Sequence, residues 1–399
     1  MKIGILTFHS PCNFGANLQA YSSSSFFKEL GHEVYVINYI RFTDSSYKNN
    51  VSEKQYLAHQ KFINSNLQLT KKVNHVEQLT TLISEYSFDL ILVGADAVWR
   101  SPKKDSEQIY FMTWLFNNSI IKNTPVVSMS AAHMGDGFKN LSKHKRLKIA
   151  DSLSKFKYIS VRDIWTKKML LRDIPNTNEL KINLNPDPVF LLDKYISEKW
   201  NNKNNKIHTK KYIILTLEKN WNKIHTKKRN LWFKSFKKMV NNKGLLLIEL
   251  PLPEGKSGMK FDYSLDYPID PIQWFLWIKN AKAFCGLRFH SIVSSIASGT
   301  PFFSVDSYGN SSIPILILKK IGLYKIARLF DQKSKIRNLL QNTKFSSYRV
   351  PSKIELISPS NLLKKLNKVN LKEIEELRQK NIKIFEQNMS EMLNKISND

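Results

Sequence analysis

The segment Gly286-Leu287-Arg288-Phe289-His290 sets a guanidinium and an imidazole at a predicted junction between a strand and a helix. A mostly apolar strand, 281–285, precedes it, and an apolar run with small residues follows, ending in Ala297, Ser298 and Gly299. Open backbone amides and the positive end of a helix dipole favour an anion at such a junction. Arg288 can fork onto a carboxylate or phosphate, and His290 can move a proton near neutral pH. If the backbone stays extended, alternation points both side chains the same way. The competing reading is a structural arginine beside a satisfied, buried histidine.

Other segments that follow predicted strands carry chemistry-bearing residues. In His9-Ser10-Pro11-Cys12-Asn13-Phe14-Gly15-Ala16, Gly15 lets the backbone approach an anion, whereas Asn13 reads equally well as a helix N-cap. In Val93-Gly94-Ala95-Asp96-Ala97-Val98-Trp99-Arg100, the Asp96 carboxylate can accept a proton or bind sugar hydroxyls. The alternative there is a capping aspartate with Trp99 in the core. Ser128-Met129-Ser130-Ala131-Ala132-His133 offers small residues for close approach, and His133 alone reads as a loop histidine. Arg162, before Asp163, either grips an anion or organises a helix start. No P-loop, G-x-G-x-x-G after the first strand, H-E-x-x-H or metal-spaced Cys/His cluster occurs. Nicotinamide, ATP and zinc chemistry therefore lose support, and neither a cofactor nor a metal is expected.

The elements that must position these residues alternate strand and helix, which predicts parallel sheets covered by helices. Strands are expected at 2–7, 33–38, 88–93, 125–129 and 158–161, with helices at 16–30 and a polar helical region over about 51–86. Residues 180–192 close the first lobe, 1–193. A stretch rich in Asn and Lys, 194–211, reads as a linker. The second lobe, 212–350, repeats the pattern: strands at 212–217, 245–250, 281–285 and 302–305, and helices near 225–242, 271–280 and 289–298. A charged helical tail occupies 351–399, clearest over 371–396. The fold class is thus α/β with two Rossmann-type lobes, and ligands of such lobes bind where strand-end loops meet the cleft.

Length and composition set bounds. A chain of 399 residues suits two domains, and 42% hydrophobic with 12% aromatic residues suffices for packed cores. Cys12 and Cys285 are the only cysteines, which fits a reducing compartment and excludes a disulfide framework. The opening residues lack a signal-peptide h-region, and no apolar run reaches the roughly 18 residues of a membrane span. A cytoplasmic protein is therefore expected. The net charge of +29 is spread along the chain and mixed with asparagine, and no nucleic-acid-binding signature accompanies it. An anionic membrane surface or a phosphorylated, lipid-linked substrate is the better electrostatic partner.

Together and in this order, these segments resemble the polysaccharide pyruvyl transferase family. The resemblance runs from Lys2 to about Asp306, through KIGILTFHSPCNFGANLQAY, GHEVYVINY, FDLILVGADAVWR, ISVRD, NPDPVFLL and DPIQWFLWIKNAKAFCGLRFHSIVSSIASGTPFFSVD. It implies a glycosyltransferase-B-like pair of lobes and transfer of pyruvate from phosphoenolpyruvate to a sugar as a ketal. By position, Arg288 and His290 match the family's cleft segment, Arg162 its basic residue after the central strand, and Asn13 and Gly15 its N-terminal loop. Asp96 and Asp187 match its recurring acidic positions. The resemblance implies that Arg162 and Arg288 bind the donor, His290 moves a proton, and Asp96 or Asp187 assists an acceptor hydroxyl. Asp187, between Pro186 and Pro188, reads alternatively as a shaper of the lobe boundary. The chain departs from the family at Ala97, where members often carry Gln, at Arg100 in place of Asn, and at Ser291 in place of Gly. Two other readings stand: a glycosyltransferase of the same architecture using a nucleotide sugar, with Asp306 on the ribose, and a noncatalytic glycan or lipid-phosphate binding protein.

Overall fold

The computed structural model describes residues 1–40, 50–100, 108–134, 137–196, 210–223, 226–306, 334–351 and 353–398. The first lobe contains β1 (Lys2–Leu6), β2 (Glu33–Val36), β3 (Leu90–Asp96), β4 (Val126–Ala131), β5 (Tyr158–Val161) and β6 (Ile182–Leu184). Its helices are α1 (Phe14–Glu29), α2 (Glu53–Asn66), α3 (Val76–Tyr86), α4 (Thr113–Phe116), α5 (Lys143–Ser154), α6 (Ile164–Asp173) and α7 (Leu192–Tyr195). The second lobe contains β7 (Tyr212–Thr216), β8 (Leu246–Glu249), β9 (Tyr263–Ser264), β10 (Ala283–Gly286), β11 (Phe302–Asp306) and β12 (Arg349–Pro351). With them run α8 (Thr226–Asn241), α9 (Pro271–Lys279), α10 (Phe289–Ala297), α11 (Lys335–Leu340), α12 (Pro359–Asn367) and α13 (Leu371–Asn398).

The strands form two six-stranded sheets in the orders β2-β1-β3-β4-β5-β6 and β12-β11-β10-β7-β8-β9. Every paired strand is parallel. Parallel sheets are covered on both faces, which is why β4 and β7 carry no charge and β3 carries none before Asp96 at its carboxyl end. The strand order reverses between β1 and β3 in one sheet and between β7 and β10 in the other, and crevices open outside the carboxyl ends of strands at such reversals.

The sheet faces that look toward each other share one core. Ile3, Ile5, Leu90 and Leu92 of the first sheet and Ile214, Ile248, Phe284 and Phe302 of the second belong to the same apolar cluster, filled by α1, α9, α10 and α13. The outer faces have separate cores, under α3, α5 and α6 in the first lobe and under α8 and α12 in the second. Polar contacts cross between the lobes as well. The Gln55 amide donates to Ile269 O and accepts from Ile269 N, both at 2.8 Å, and Phe14 stacks on Trp274 at 5.2 Å. These contacts fix how the two strand-end crevices face each other.

Two expectations change. The polar helical region at 51–86 is two helices, because residues between α2 and α3 extend along β2, where Leu69 bridges Val36 and Val73 bridges Tyr39. The Asn/Lys-rich stretch 194–211 begins inside α7, and residues 197–209 lie outside the described residues. The tail helix α13 returns to the first lobe: Phe385 meets Phe26 edge to face at 5.2 Å, and Asn388 donates to Leu184 O at 2.8 Å.

Candidate active site

Three strand ends of the first lobe converge on one turn of the second. Asp96 ends β3 with φ 70°, a left-handed conformation that aspartate tolerates better than most residues. Arg162 leaves β5, its N–H tied to Ala131 O at 3.0 Å. Asp187 follows β6 and caps the turn after it, accepting from Val189 N at 3.1 Å. His290 lies in the first turn of α10.

Arg162 is the hub. Its Nη1 donates to Asp187 Oδ2 at 2.7 Å and its Nη2 to Asp96 Oδ1 at 3.2 Å, with only 2% of the side chain exposed. Its Cζ lies 4.5 Å from the centre of the Phe289 ring, so an aromatic from the second lobe covers the guanidinium. His290 Nε2 is 3.5 Å from the same Asp187 oxygen and has no hydrogen-bond partner. Lys335, the first residue of α11, brings its ammonium within 3.8 Å of Asp96.

The electrostatics follow from burial and pairing. Burial works against a charge on Asp96, yet Lys335, Arg162 and His290 hold its carboxyl well below the usual range. Asp187 is likewise buried but held low by His290 and Arg162. Burial, reinforced by Arg162, pushes the Lys335 ammonium down to about 8 against the pull of Asp96. Two cations thus balance two carboxylates, and the His290 imidazole adjoins them at ion-pair distance from Asp187.

The structure brings Arg162, Asp96, Asp187 and His290 together but separates Arg288 from them. The backbone does not stay extended there: β10 ends at Gly286, Arg288 turns with φ 79°, and the helix begins at Phe289. Arg288 therefore points elsewhere, 55% exposed, and its Nη2 donates to Glu254 Oε1 at 2.8 Å in the loop after β8. Asn13 is the N-cap of α1, its Oδ1 accepting from Ala16 N at 3.2 Å. Asp163 rather than Arg162 organises the start of α6, accepting from Thr166 N at 2.7 Å. His133 is structural: Nδ1 donates to Trp99 O at 2.9 Å and Nε2 accepts from Gly137 N at 3.1 Å. Asp306 accepts from Arg349 Nη1 at 2.8 Å and from the Ser334 hydroxyl. Sequence reasoning missed Lys335 and Glu254. Lys335 is one of 62 Lys and Arg, so its type carried no signal; Ser334 as an N-cap marked only the start of a helix. Among the described residues, no group of three or more His, Cys, Asp or Glu is placed to hold a metal ion.

Gly15 has a steric reason to be glycine. A Cβ there would fall 2.0 Å from His290 Nδ1 and 2.1 Å from Cγ, so α1 of one lobe is a floor for the imidazole of the other. Gly15→Ala is expected to raise or hold helix propensity while displacing the ring. Turnover should fall about tenfold or more with a melting temperature within a few degrees of wild type, comparable to other small misplacements of catalytic groups. Unchanged turnover would show that His290 does not need this seat.

A sequence model for the family described as polysaccharide pyruvyl transferase matches residues 13–308. No curated protein matches the chain in sequence. Among solved structures, the chain resembles a Glycyrrhiza uralensis UGT complexed with glycyrrhetinic acid 3-O-monoglucuronide, at 10% identity and TM-score 0.52, covering 100% of this chain and 96% of that one. It also resembles the UDP-GlcNAc 2-epimerase of Methanocaldococcus jannaschii, at 10% identity and TM-score 0.48, covering 92% of each chain. The former likeness shows the fold, a glycosyltransferase-B-like pair of parallel α/β lobes with a returning C-terminal helix.

Proposed function

The chain belongs to the polysaccharide pyruvyl transferase family, and on that premise we propose that it transfers pyruvate from phosphoenolpyruvate to a sugar of a cell-surface polysaccharide, or of its lipid-linked precursor, as a ketal. The observation that carries the reading is the inter-lobe cluster in which Arg162 fixes Asp96 and Asp187 while His290 of the other lobe brings a ring nitrogen to 3.5 Å from Asp187.

In this reading His290 delivers a proton to the methylene carbon of the donor, which leaves an oxocarbenium-like centre at the carbon bearing the phosphate. One sugar hydroxyl adds to that centre and gives up its proton, phosphate departs with a proton to renew the oxocarbenium-like centre, and a second hydroxyl adds there and loses its proton, closing the ketal. Asp187 holds the imidazole in place, and Asp96, kept ionised by its cations, orients an acceptor hydroxyl by accepting its hydrogen bond. Lys335 and Arg288 supply cations for the donor's carboxylate and phosphate, Arg288 by leaving its solvent-exposed contact with Glu254, which costs little. Arg162 contributes its charge and an Nε–H that has no protein partner. Gly15 seats the imidazole from α1, whose first turn Asn13 caps. A lipid-linked acceptor would place the enzyme at the cytoplasmic face of a membrane; no helix among the described residues is long and apolar enough to cross one.

The decisive experiment incubates the protein with phosphoenolpyruvate and a panel of lipid-linked oligosaccharides. Phosphate release matched by addition of a pyruvyl ketal to the acceptor, read by mass, is the expected result. A hexose acquired from a nucleotide sugar, with phosphoenolpyruvate untouched, would replace this reading with the glycosyltransferase one. Against that alternative, the Asp306 carboxylate offered for a ribose is already paired with Arg349 and Ser334.

Lys335 gives the reaction a pH dependence. With its ammonium pushed down to about 8, it is charged below that pH and neutral above. Because kcat/KM reports the free enzyme, kcat/KM for phosphoenolpyruvate is expected to fall as pH rises through about 8. Lys335→Arg stays charged and should carry the plateau to higher pH. Lys335→Met should lower kcat/KM about tenfold near neutrality, the worth of one charge-assisted hydrogen bond, and remove the alkaline limb. An identical alkaline limb in the methionine variant would assign it to another group.

A further inference from the structure

We infer that the outer face of the second lobe, formed by α8, α12 and the turn Ile354–Leu356, is a docking surface for an anionic lipid bilayer. The exposed line of α8 runs Lys227, Lys228, Leu231, Lys234 and Lys238, at the three- and four-residue spacing of one helix face. The opposite face, with Trp232, Phe233, Phe236 and Val240, is buried on the sheet. The exposed Lys364 on α12 and Lys368 at its C-cap extend the basic surface, since both helices cover the same sheet face side by side.

Neither helix carries an acidic residue. Residues 219–248 contain no Asp or Glu, nor do residues 356–370. Glu355 is buried against Arg229 at 3.0 Å, and Asp262 is bound by Lys237 at 2.9 Å at the flank. Two leucines stand out among the lysines: Leu231 is 61% and Leu356 48% exposed. The turn that carries Leu356 is pinned to α8, because Trp232 Nε1 donates to Ile357 O at 2.7 Å. A polyanion such as RNA would satisfy the lysines but leave the leucines in water. A bilayer satisfies both, through attraction to acidic headgroups and insertion of apolar side chains at the interface.

The orientation suits a lipid-linked acceptor, and to that extent the inference rests on the proposed reaction. In a parallel β–α–β unit the helix starts at the carboxyl ends of the strands, so Lys227, Lys228 and Leu231 lie at the end of the lobe where the cleft opens. Leu356 follows the end of β12 and lies at that same end. Docking there would turn the mouth of the cleft toward the headgroups.

The test is co-sedimentation of the full chain with phosphatidylcholine vesicles, with and without phosphatidylglycerol. Binding only to the anionic vesicles is expected. The quadruple variant Lys227→Gln, Lys228→Gln, Lys234→Gln, Lys238→Gln should lose on the order of a hundredfold, about threefold to fivefold per lysine. A control variant of equal charge, Lys143→Gln, Lys148→Gln, Lys372→Gln, Lys383→Gln, should lose less than about fivefold, since those lysines lie on α5 and α13. Leu231→Asn with Leu356→Asn should weaken vesicle binding about tenfold without changing retention on single-stranded RNA. Equal losses in the two lysine variants, or leucine changes without effect on vesicles, would overturn the inference. Vesicle binding that follows the expected pattern in a protein that never releases phosphate from phosphoenolpyruvate would refute the proposed reaction and leave the docking surface standing.

Discussion

Arg162→Ala is expected to destabilise the protein by about 3–5 kcal/mol at neutral pH and to abolish turnover. The guanidinium is 2% exposed and is the direct hydrogen-bonding partner of Asp96 and Asp187, so its loss leaves two carboxylates in a site that disfavours their charge. The pH dependence carries the proof. Both carboxyls are held below their ordinary values in the native protein, so their pairing contributes stability above the unfolded value near 4 and loses it as pH falls through the folded values. Without Arg162, burial acts on them with less opposition, and protonation relieves the strain. The stability gap between variant and wild type should therefore be widest at neutral pH and narrow as pH falls below about 5, read by urea denaturation at several pH values. A gap under about 1 kcal/mol, or one that is flat with pH, would show that the carboxylates do not depend on the arginine. Arg162→Lys should fall between, because a point charge cannot span both carboxylates as the planar fork does.

The second large effect is kinetic. His290→Ala is expected to lower kcat by about 10²–10⁴ while the KM for phosphoenolpyruvate changes less than about threefold, the signature of a lost proton-transfer group rather than lost binding. Stability should change by about 1–2 kcal/mol, since the largely buried imidazole packs on α1 and lies 3.5 Å from Asp187 Oδ2, an ion-pair contact rather than a hydrogen bond. Gly15 supplies an internal control. If Gly15→Ala acts by displacing the ring, it should have no further effect on turnover once His290 is alanine, whereas independent roles would make the losses add. Full turnover in His290→Ala would remove the residue from the mechanism.

Much of the fold was legible because its signals are local. Gly31, in the left-handed region with φ 81°, ends α1 where a C-terminal glycine is expected, and the apolar runs at 158–161 and 212–217 became β5 and β7 nearly residue for residue. The break between α2 and α3 was not legible, since the pairing of Leu69 with Val36 of β2 and of Val73 with Tyr39 just beyond it depends on a strand elsewhere in the chain. Arg288 shows the limit most directly. Alternation would have joined it to His290, but one left-handed residue at the strand end sends the two side chains to different partners.

By itself the sequence determined that strands alternate with helices, that loops after the strands hold Asn13, Gly15, Asp96, Arg162, Asp187, Arg288 and His290, and that the order of these segments resembles one transferase family. Only the tertiary structure decided which of them act together. Asp96 and Arg162 are 66 positions apart, and Arg162 and Asp187 are 25, so charge pairing among them has no periodicity to betray it. Lys335 enters from beyond the last matched segment, and α13 closes back on the first lobe through Phe26 and Phe385. Hydrophobic pattern and turn chemistry act over a few residues, whereas burial of a charge depends on every element that surrounds it. The place of Arg288 at a strand end was therefore written in the chain, and the buried cluster centred on Arg162 was written only in the packing of the two lobes.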